Sequence, residues 1–160
     1  GILPSKKRTL SVNGSDYDSY RFPGLLAGYS FQNPDEQLFT SKIEDEILTP
    51  LKNETSEYKD RRELFLNLFG LQNIRKCNPA EIPFVMRKRI PLSSTLAKDM
   101  PWYILDEPTL GQDEHFMDFL IIVLNQLVSI GKGIIIISHS EILNIKLNCK
   151  QLNLRNGNIH

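Results

Sequence analysis

The sequence predicts an α/β protein, a partial parallel sheet flanked by helices with a helical subdomain inserted over residues 40–98. Two short apolar runs, Trp102–Leu105 and Gly133–Ile137, show no alternation, as expected of strands covered on both faces. Between them, Asp113–Ile130 has the pattern of one long helix stopped by Gly131, so the order is strand, helix, strand. Residues 40–98 carry helical periodicity instead. The expected divisions are 1–39, with N-terminal strands and a loop; 40–98, the helical subdomain; and 99–160, the strand–helix–strand part.

Composition sets the outer bounds. At 160 residues and 41% hydrophobic content, roughly 70% of the unfolded surface can be buried without a disulfide or metal staple. Nineteen basic and nineteen acidic residues give zero net charge, which removes any global electrostatic argument for nucleic acid or an anionic membrane. Cys77 and Cys149 match no disulfide framework or zinc pattern and read as two partly buried thiols in a reducing compartment. The longest apolar stretch, Phe116–Ile130, is broken by Asp118, Asn125 and Gln126 and is shorter than the ~20 residues of a membrane span.

The elements follow in order. Thr9–Val12 before Asn13-Gly14 reads as a strand entering a tight turn, because Asn-Gly supplies positive φ angles. Leu25–Phe31 is a second strand, ended by Gln32-Asn33-Pro34-Asp35. A helix is expected over Ser41–Leu51, capped by Thr40 or Ser41, with Glu44, Asp45 and Glu46 in its first turns. Asn53–Glu57 is a polar connection. Tyr58–Phe69 forms the next helix, with Leu64, Phe65, Leu68 and Phe69 on one face and Gly70 as its stop. Leu152–Leu154 with Asn156-Gly157 closes the chain as a strand and turn.

In such a sheet the ligand sits beyond the C-terminal ends of the strands. Asp106, Glu107 and His139 fall at that edge. Paired carboxylates after a buried strand suit Mg²⁺ on a phosphate group, since a hard cation prefers carboxylate oxygens and keeps several waters. One carboxylate can hold the metal while the other activates a water for in-line attack. The plainer alternative makes Asp106 a turn cap and Glu107 a solvated loop residue.

The ordered run Leu105-Asp106-Glu107-Pro108-Thr109, Leu110-Gly111-Gln112-Asp113 and Ile134–His139 resembles the Walker B, D-loop and switch-histidine sequence of ABC-type ATPases. Upstream, Gly28–Phe39 is similar to the Q-loop of the energy-coupling-factor and cobalt-type importer branch. The resemblance implies a P-loop NTPase-like fold. It implies that Asp106, with Gln32, supports Mg²⁺, that Glu107 polarises the attacking water and that His139 contacts the γ-phosphate of ATP. It further implies that Asp113 lies at the contact with a second ABC ATPase domain, in a homo- or heterodimer. The Gln32 loop would then touch a transmembrane transporter subunit, and no nucleic-acid partner is expected. Gln37 reads as packing or partner contact.

Two departures accompany the resemblance. The phosphate-cradling pattern G-x-x-x-x-G-K-[ST] does not occur in the 160 residues, and Gly131-Lys132 is followed by Gly133. Gly1-Ile2-Leu3-Pro4 is similar to the end of the helix after the P-loop, so the chain is expected to begin just past that element. A parallel sheet without that strand is expected to leave an apolar edge beside Trp102–Leu105 and to make an isolated chain unstable or dimeric. Second, the position of the family's L-S-G-G-Q signature holds Ile82-Pro83-Phe84-Val85-Met86. Pro83 donates nothing, and Phe84 and Val85 carry side chains where bare backbone is needed, so this face reads as degenerate. Arg87-Lys88-Arg89 reads as a solvated helix start, and Pro91 as falling within the next helix's first turns.

The implied function is the ATP-binding subunit of an ABC importer for a vitamin or transition-metal ion, peripheral on the cytoplasmic face of the cell membrane. The chain alone is expected to be inactive. Two alternatives stand beside it: a non-catalytic ABC-derived binding or regulatory module, and a soluble ABC ATPase of DNA repair or ribosome function.

Overall fold

The computed structural model describes residues 9–12, 14–18, 26–48, 55–147, 149–155 and 158–159. Gly1–Pro4, Asn13, residues 49–54 and Asn156-Gly157, to which expectations were attached, lie outside them. Strand β1 (Thr9–Val12) pairs antiparallel with β2 (Ser15–Asp18) across Gly14, whose φ of 79° is the left-handed geometry such a turn needs.

Strand β3 (Ala27–Ser30) leads into the helical part. There the expected helix over 41–51 is a single turn, α1 (Ile43–Glu46), with Lys42 at its cap and no side-chain cap bond. Ile47 turns extended and Leu48 takes a φ of 59°, which ends the helix in spite of its acidic first turn. Helix α2 (Ser56–Leu68) starts earlier than expected because the Thr55 hydroxyl accepts the Tyr58 N–H. Its inward residues are Phe65, Leu66 and, just past its end, Phe69; Leu64 and Leu68 face solvent, correcting two of the four expected face positions. Arg75 braces this part by donating to Glu44 and to both oxygens of Glu63. The hydrogen bonds from Arg75 hold the Glu63 carboxyl below its ordinary pKa.

Helix α3 (Phe84–Ala97) runs through Pro91, the eighth of its 14 residues, so that proline is mid-helix and not near the start. Strand β4 (Trp102–Asp106), helix α4 (Glu114–Ser129) and strand β5 (Gly133–Ile137) form the predicted strand–helix–strand unit. The sheet order is β3–β4–β5, all parallel. β4 is therefore paired on both sides, and the unpaired edges among the described residues belong to the strands beside it, β3 and β5. Ile135 and Ile137 are 47% and 48% exposed, which corrects the expectation of a strand covered on both faces. Gly133 is required where it stands: a Cβ there would lie 2.2 Å from the Trp102 ring.

Helix α5 (Glu141–Lys146) and the antiparallel pair β6 (Leu154–Arg155) and β7 (Asn158–Ile159) complete the described chain. One apolar cluster joins the helical part to the sheet, with Phe65, Phe69, Leu92, Leu96, Tyr103, Leu105 and Phe116 among its buried members. Phe69 meets Phe116 edge-on at 5.9 Å between ring centroids, a favoured aromatic geometry. Cys77 and Cys149 are both free and exposed, not partly buried. No described helix is long and apolar enough to cross a membrane.

Candidate functional site

The parallel registers bring three loop starts to one edge. Ser30 is level with Leu105 and Leu105 with Ile136, so Gln32, Glu107 and Ser138 each come two residues after that level. Gln32 itself is exposed and has no hydrogen bond among the described residues, so the structure places it at the edge without joining it to the carboxylates.

Glu107 is the centre of the edge. Its N–H donates to the Ile137 carbonyl at 2.8 Å, which continues the β4–β5 ladder by one step. Its φ of 46° is left-handed, a conformation that costs a non-glycine residue of order 1 kcal/mol or more and recurs where geometry serves a site. The side chain is buried, at 8% exposure, and accepts the His139 N–H (2.8 Å) and the Ser138 hydroxyl (3.2 Å). The solvated-loop reading of Glu107 is thereby overturned. The His139 ring is fully exposed, with Nε2 3.8 Å from Glu107 Oε1, so the acid and the imidazole share one edge.

Asp106 accepts a hydrogen bond from the Tyr29 hydroxyl at 3.3 Å. Burial, followed by the charge of Asp106, pushes the Tyr29 hydroxyl above its ordinary pKa of 10.0. Asp106 Oδ1 has no partner among the described residues, whereas both oxygens of Glu107 are engaged. No three His, Cys, Asp or Glu side chains converge among the described residues. A cage made only of protein ligands is therefore not formed there. One open carboxylate oxygen does fit a magnesium ion that takes its remaining ligands from water and phosphate.

Gln37 was read as packing or contact, and its contacts are structural. It accepts the Phe31 N–H (2.7 Å) and donates to the Tyr29 carbonyl (2.8 Å), prolonging β3 with side-chain bonds and fixing the turn that carries Gln32. Asp113 caps α4 by accepting the Phe116 N–H at 2.7 Å and stays exposed. Glu46, singled out only as an acidic first-turn residue, is buried and takes the amides of Phe39 and Thr40. Those contacts join residues that no local pattern relates.

The start of α3 departs most from expectation. Pro83 is the N-cap residue and provides no side-chain cap, while Phe84 and Val85 are 44% and 38% exposed. The basic triplet is not a solvated helix start. Arg87 pairs with Asp35 at 3.1 Å. Arg89 lies 4.2 Å over the Phe116 ring and donates to Gln112 Oε1 at 2.8 Å, with Asp113 at 3.6 Å. Gln112 in turn donates to the Val85 carbonyl at 2.8 Å. Lys88 is 3% exposed, and its Nζ is buried with no hydrogen-bond partner among the described residues. Burial lowers its pKa from 10.5, against the opposing charges of Glu107 and then Asp106.

No family profile matches the chain. It is 29% identical over 164 residues to an ABC transporter ATP-binding protein of Pyrococcus furiosus, covering 99% of this chain and 63% of that protein. It is 32% identical over 145 residues to the energy-coupling factor transporter ATP-binding protein of Thermotoga maritima, covering 87% of this chain and 54% of that one. In structure it is similar to a dimeric post-hydrolysis ATP-binding cassette bound to ADP and Pi, with TM-score 0.72 and 16% identity, over 89% of this chain and 67% of the other. The chain thus spans under two thirds of the length of both curated relatives.

Proposed function

We propose, from the premise that the chain is an ABC-type ATPase in fold and in sequence likeness, that it is part of the ATP-binding subunit of an importer that couples Mg-ATP hydrolysis to uptake of a vitamin or metal ion. The observation that carries this reading is the meeting of Glu107, Ser138 and His139 at the C-terminal edge of β4 and β5.

Asp106 would hold magnesium, with Gln32 beside it, and the metal when bound would neutralise charge on the phosphates. The residues of the chain supply the remainder. Glu107 accepts a proton from the attacking water, and the bonds from Ser138 and the His139 amide hold that carboxylate in one orientation. The exposed His139 ring is free to donate to the terminal phosphate. Asp113 and the exposed start of α3 face a second cassette. Membrane attachment runs through the Gln32 turn, which Gln37 and the Arg87–Asp35 pair fasten to the sheet and to α3. On this reading the protein sits on the cytoplasmic face of the membrane.

In the complete protein, Glu107→Gln is expected to lower ATP turnover by about 10²–10⁴-fold with nucleotide binding retained, as loss of a general base does. Unchanged turnover would sink the reading. The 160-residue chain alone is expected to show none, since the G-x-x-x-x-G-K-[ST] cradle is not among its residues. The uncapped, apolar start of α3 favours a second reading, a non-catalytic module that keeps the shape for partner recognition. Turnover abolished by Glu107→Gln separates the two.

A further inference from the structure

The Tyr29 hydroxyl stands at the acid edge, and the chemistry above leaves it unused. Tyr29 is level with Ile104 in the β3–β4 register, and residues two apart on a strand share a face, so Tyr29 lies diagonally across from Asp106 on one face of the sheet. Its place is fixed from three sides. The Tyr29 carbonyl accepts from Gln37 Nε2 at 2.8 Å and from the Thr95 hydroxyl at 3.1 Å. Its ring centroid lies 4.7 Å from that of Phe31, and its hydroxyl donates to Asp106 Oδ2 at 3.3 Å. A phenylalanine would keep the carbonyl bonds and the ring contact equally well, so packing does not call for the hydroxyl. What the hydroxyl adds is an asymmetric carboxylate: Asp106 Oδ2 is engaged, and Oδ1 has no partner among the described residues.

We propose that Tyr29 is a specificity-determining residue for the ion at Asp106: by occupying Oδ2, its hydroxyl leaves one carboxylate oxygen for a cation and so favours Mg²⁺ over Ca²⁺. The proposal rests on the reading above that Asp106 is the magnesium carboxylate. Mg²⁺ demands near-ideal octahedral geometry and keeps several waters, so a single carboxylate oxygen serves it. Ca²⁺ takes roughly six to eight oxygens in flexible geometry and readily uses both oxygens of one carboxylate. Removing the hydroxyl returns Oδ2, which is a further ligand for Ca²⁺ but nothing that an ion already served by Oδ1 requires. A tyrosine that merely packed against Phe31 would, on losing its hydroxyl, move the two affinities together.

The test uses the complete protein loaded with a non-hydrolysable ATP analogue. Mg²⁺ and Ca²⁺ are titrated separately against bound Mn²⁺, and the released Mn²⁺ is counted by electron paramagnetic resonance. The nucleotide's own share of the binding is common to wild type and variant, so the ratio of Ca²⁺ to Mg²⁺ affinity isolates the contribution of the carboxylate. Tyr29→Phe is expected to raise that ratio by about three- to tenfold, the scale of one polar contact to a charged group, with Mg²⁺ affinity within about twofold of wild type. Tyr29→Leu serves in its place if Tyr29→Phe does not fold. An unchanged ratio, or two affinities that move together, while Asp106→Asn still weakens both ions, overturns the role of Tyr29 and leaves the site reading standing. If Asp106→Asn leaves both affinities unchanged, both are overturned.

Discussion

The acid edge and the start of α3 are neighbours in space but are assembled differently. At the edge, polar groups satisfy one another: Glu107 takes the His139 amide and the Ser138 hydroxyl, Asp106 takes the Tyr29 hydroxyl, and Ser138 accepts the Ser140 N–H. At the start of α3 the outward groups are a proline and two exposed apolar side chains, and the polar groups point inward. Arg87 goes to Asp35 after the Gln32 turn, Arg89 goes to the α4 approach, and Lys88 is buried. The difference shows that the outward side of a helix start can be apolar and uncapped while its inward side holds the surrounding loops in register. It also locates the constraint: the edge is organised around its own hydrogen bonds, whereas α3 is organised around what lies behind it.

The largest effect expected from testing this contrast is at Arg89. Arg89→Ala removes the guanidinium over Phe116, the bond to Gln112 and the charge beside Asp113 in one step. A bond to a charged group contributes about 1.5–3 kcal/mol and a cation over an aromatic ring about 1 kcal/mol. The expected loss is about 2–4 kcal/mol in urea unfolding, although Arg89 touches no ligand. A loss under about 0.5 kcal/mol would mean that the triplet is surface charge after all.

Lys88→Met should act in the opposite direction. Desolvation outweighs the attraction of Glu107 and Asp106, as the lowered pKa of Lys88 records, so the mutation is expected to stabilise the chain by about 1 kcal/mol near neutral pH. The sign in pH follows. The folded chain holds the Lys88 proton less tightly than the unfolded chain, so between the lowered folded value and 10.5 the unfolded state binds more protons. Wild-type stability gains from Lys88 as pH rises through that window, and the advantage of Lys88→Met shrinks. Unfolding curves at pH 7 and pH 10 would show the gap narrowing; a gap that widens would contradict the assignment.

Much of the acid edge was legible because its causes are local. A four-residue apolar run followed by two acids, and a five-residue one followed by Ser-His, state both strand type and strand end. The exposure of Ile135 and Ile137 was not legible, because a strand's own residues do not say how many neighbours it has. The helix expected over 41–51 failed at Leu48, where a left-handed backbone overrides good helical composition. The triplet was misread because three adjacent cations on a helix start look solvated; Asp35 and Gln112, the partners of Arg87 and Arg89, are distant in sequence, and only tertiary packing brings them near and buries Lys88. Arg75 and Glu46 were overlooked for the same reason.

The smallest expected effect is at Pro83, and it separates the two faces of α3 most sharply. Pro83 occupies the N-cap with an extended ψ of 144°, a geometry that serine adopts readily. Pro83→Ser would add a hydroxyl able to accept an orphan amide of the first turn, a gain of about 0.5–1 kcal/mol. The same change frees the unfolded chain from proline's restriction, at a cost of about 0.4–1 kcal/mol. The two nearly cancel, so the midpoint of urea unfolding should move by no more than about 0.5 kcal/mol in free-energy terms. Because the inner contacts of Arg87, Lys88 and Arg89 are untouched, the outer face can change without loosening the helix. A loss above about 1 kcal/mol would show instead that proline at the cap is part of what holds the triplet in place.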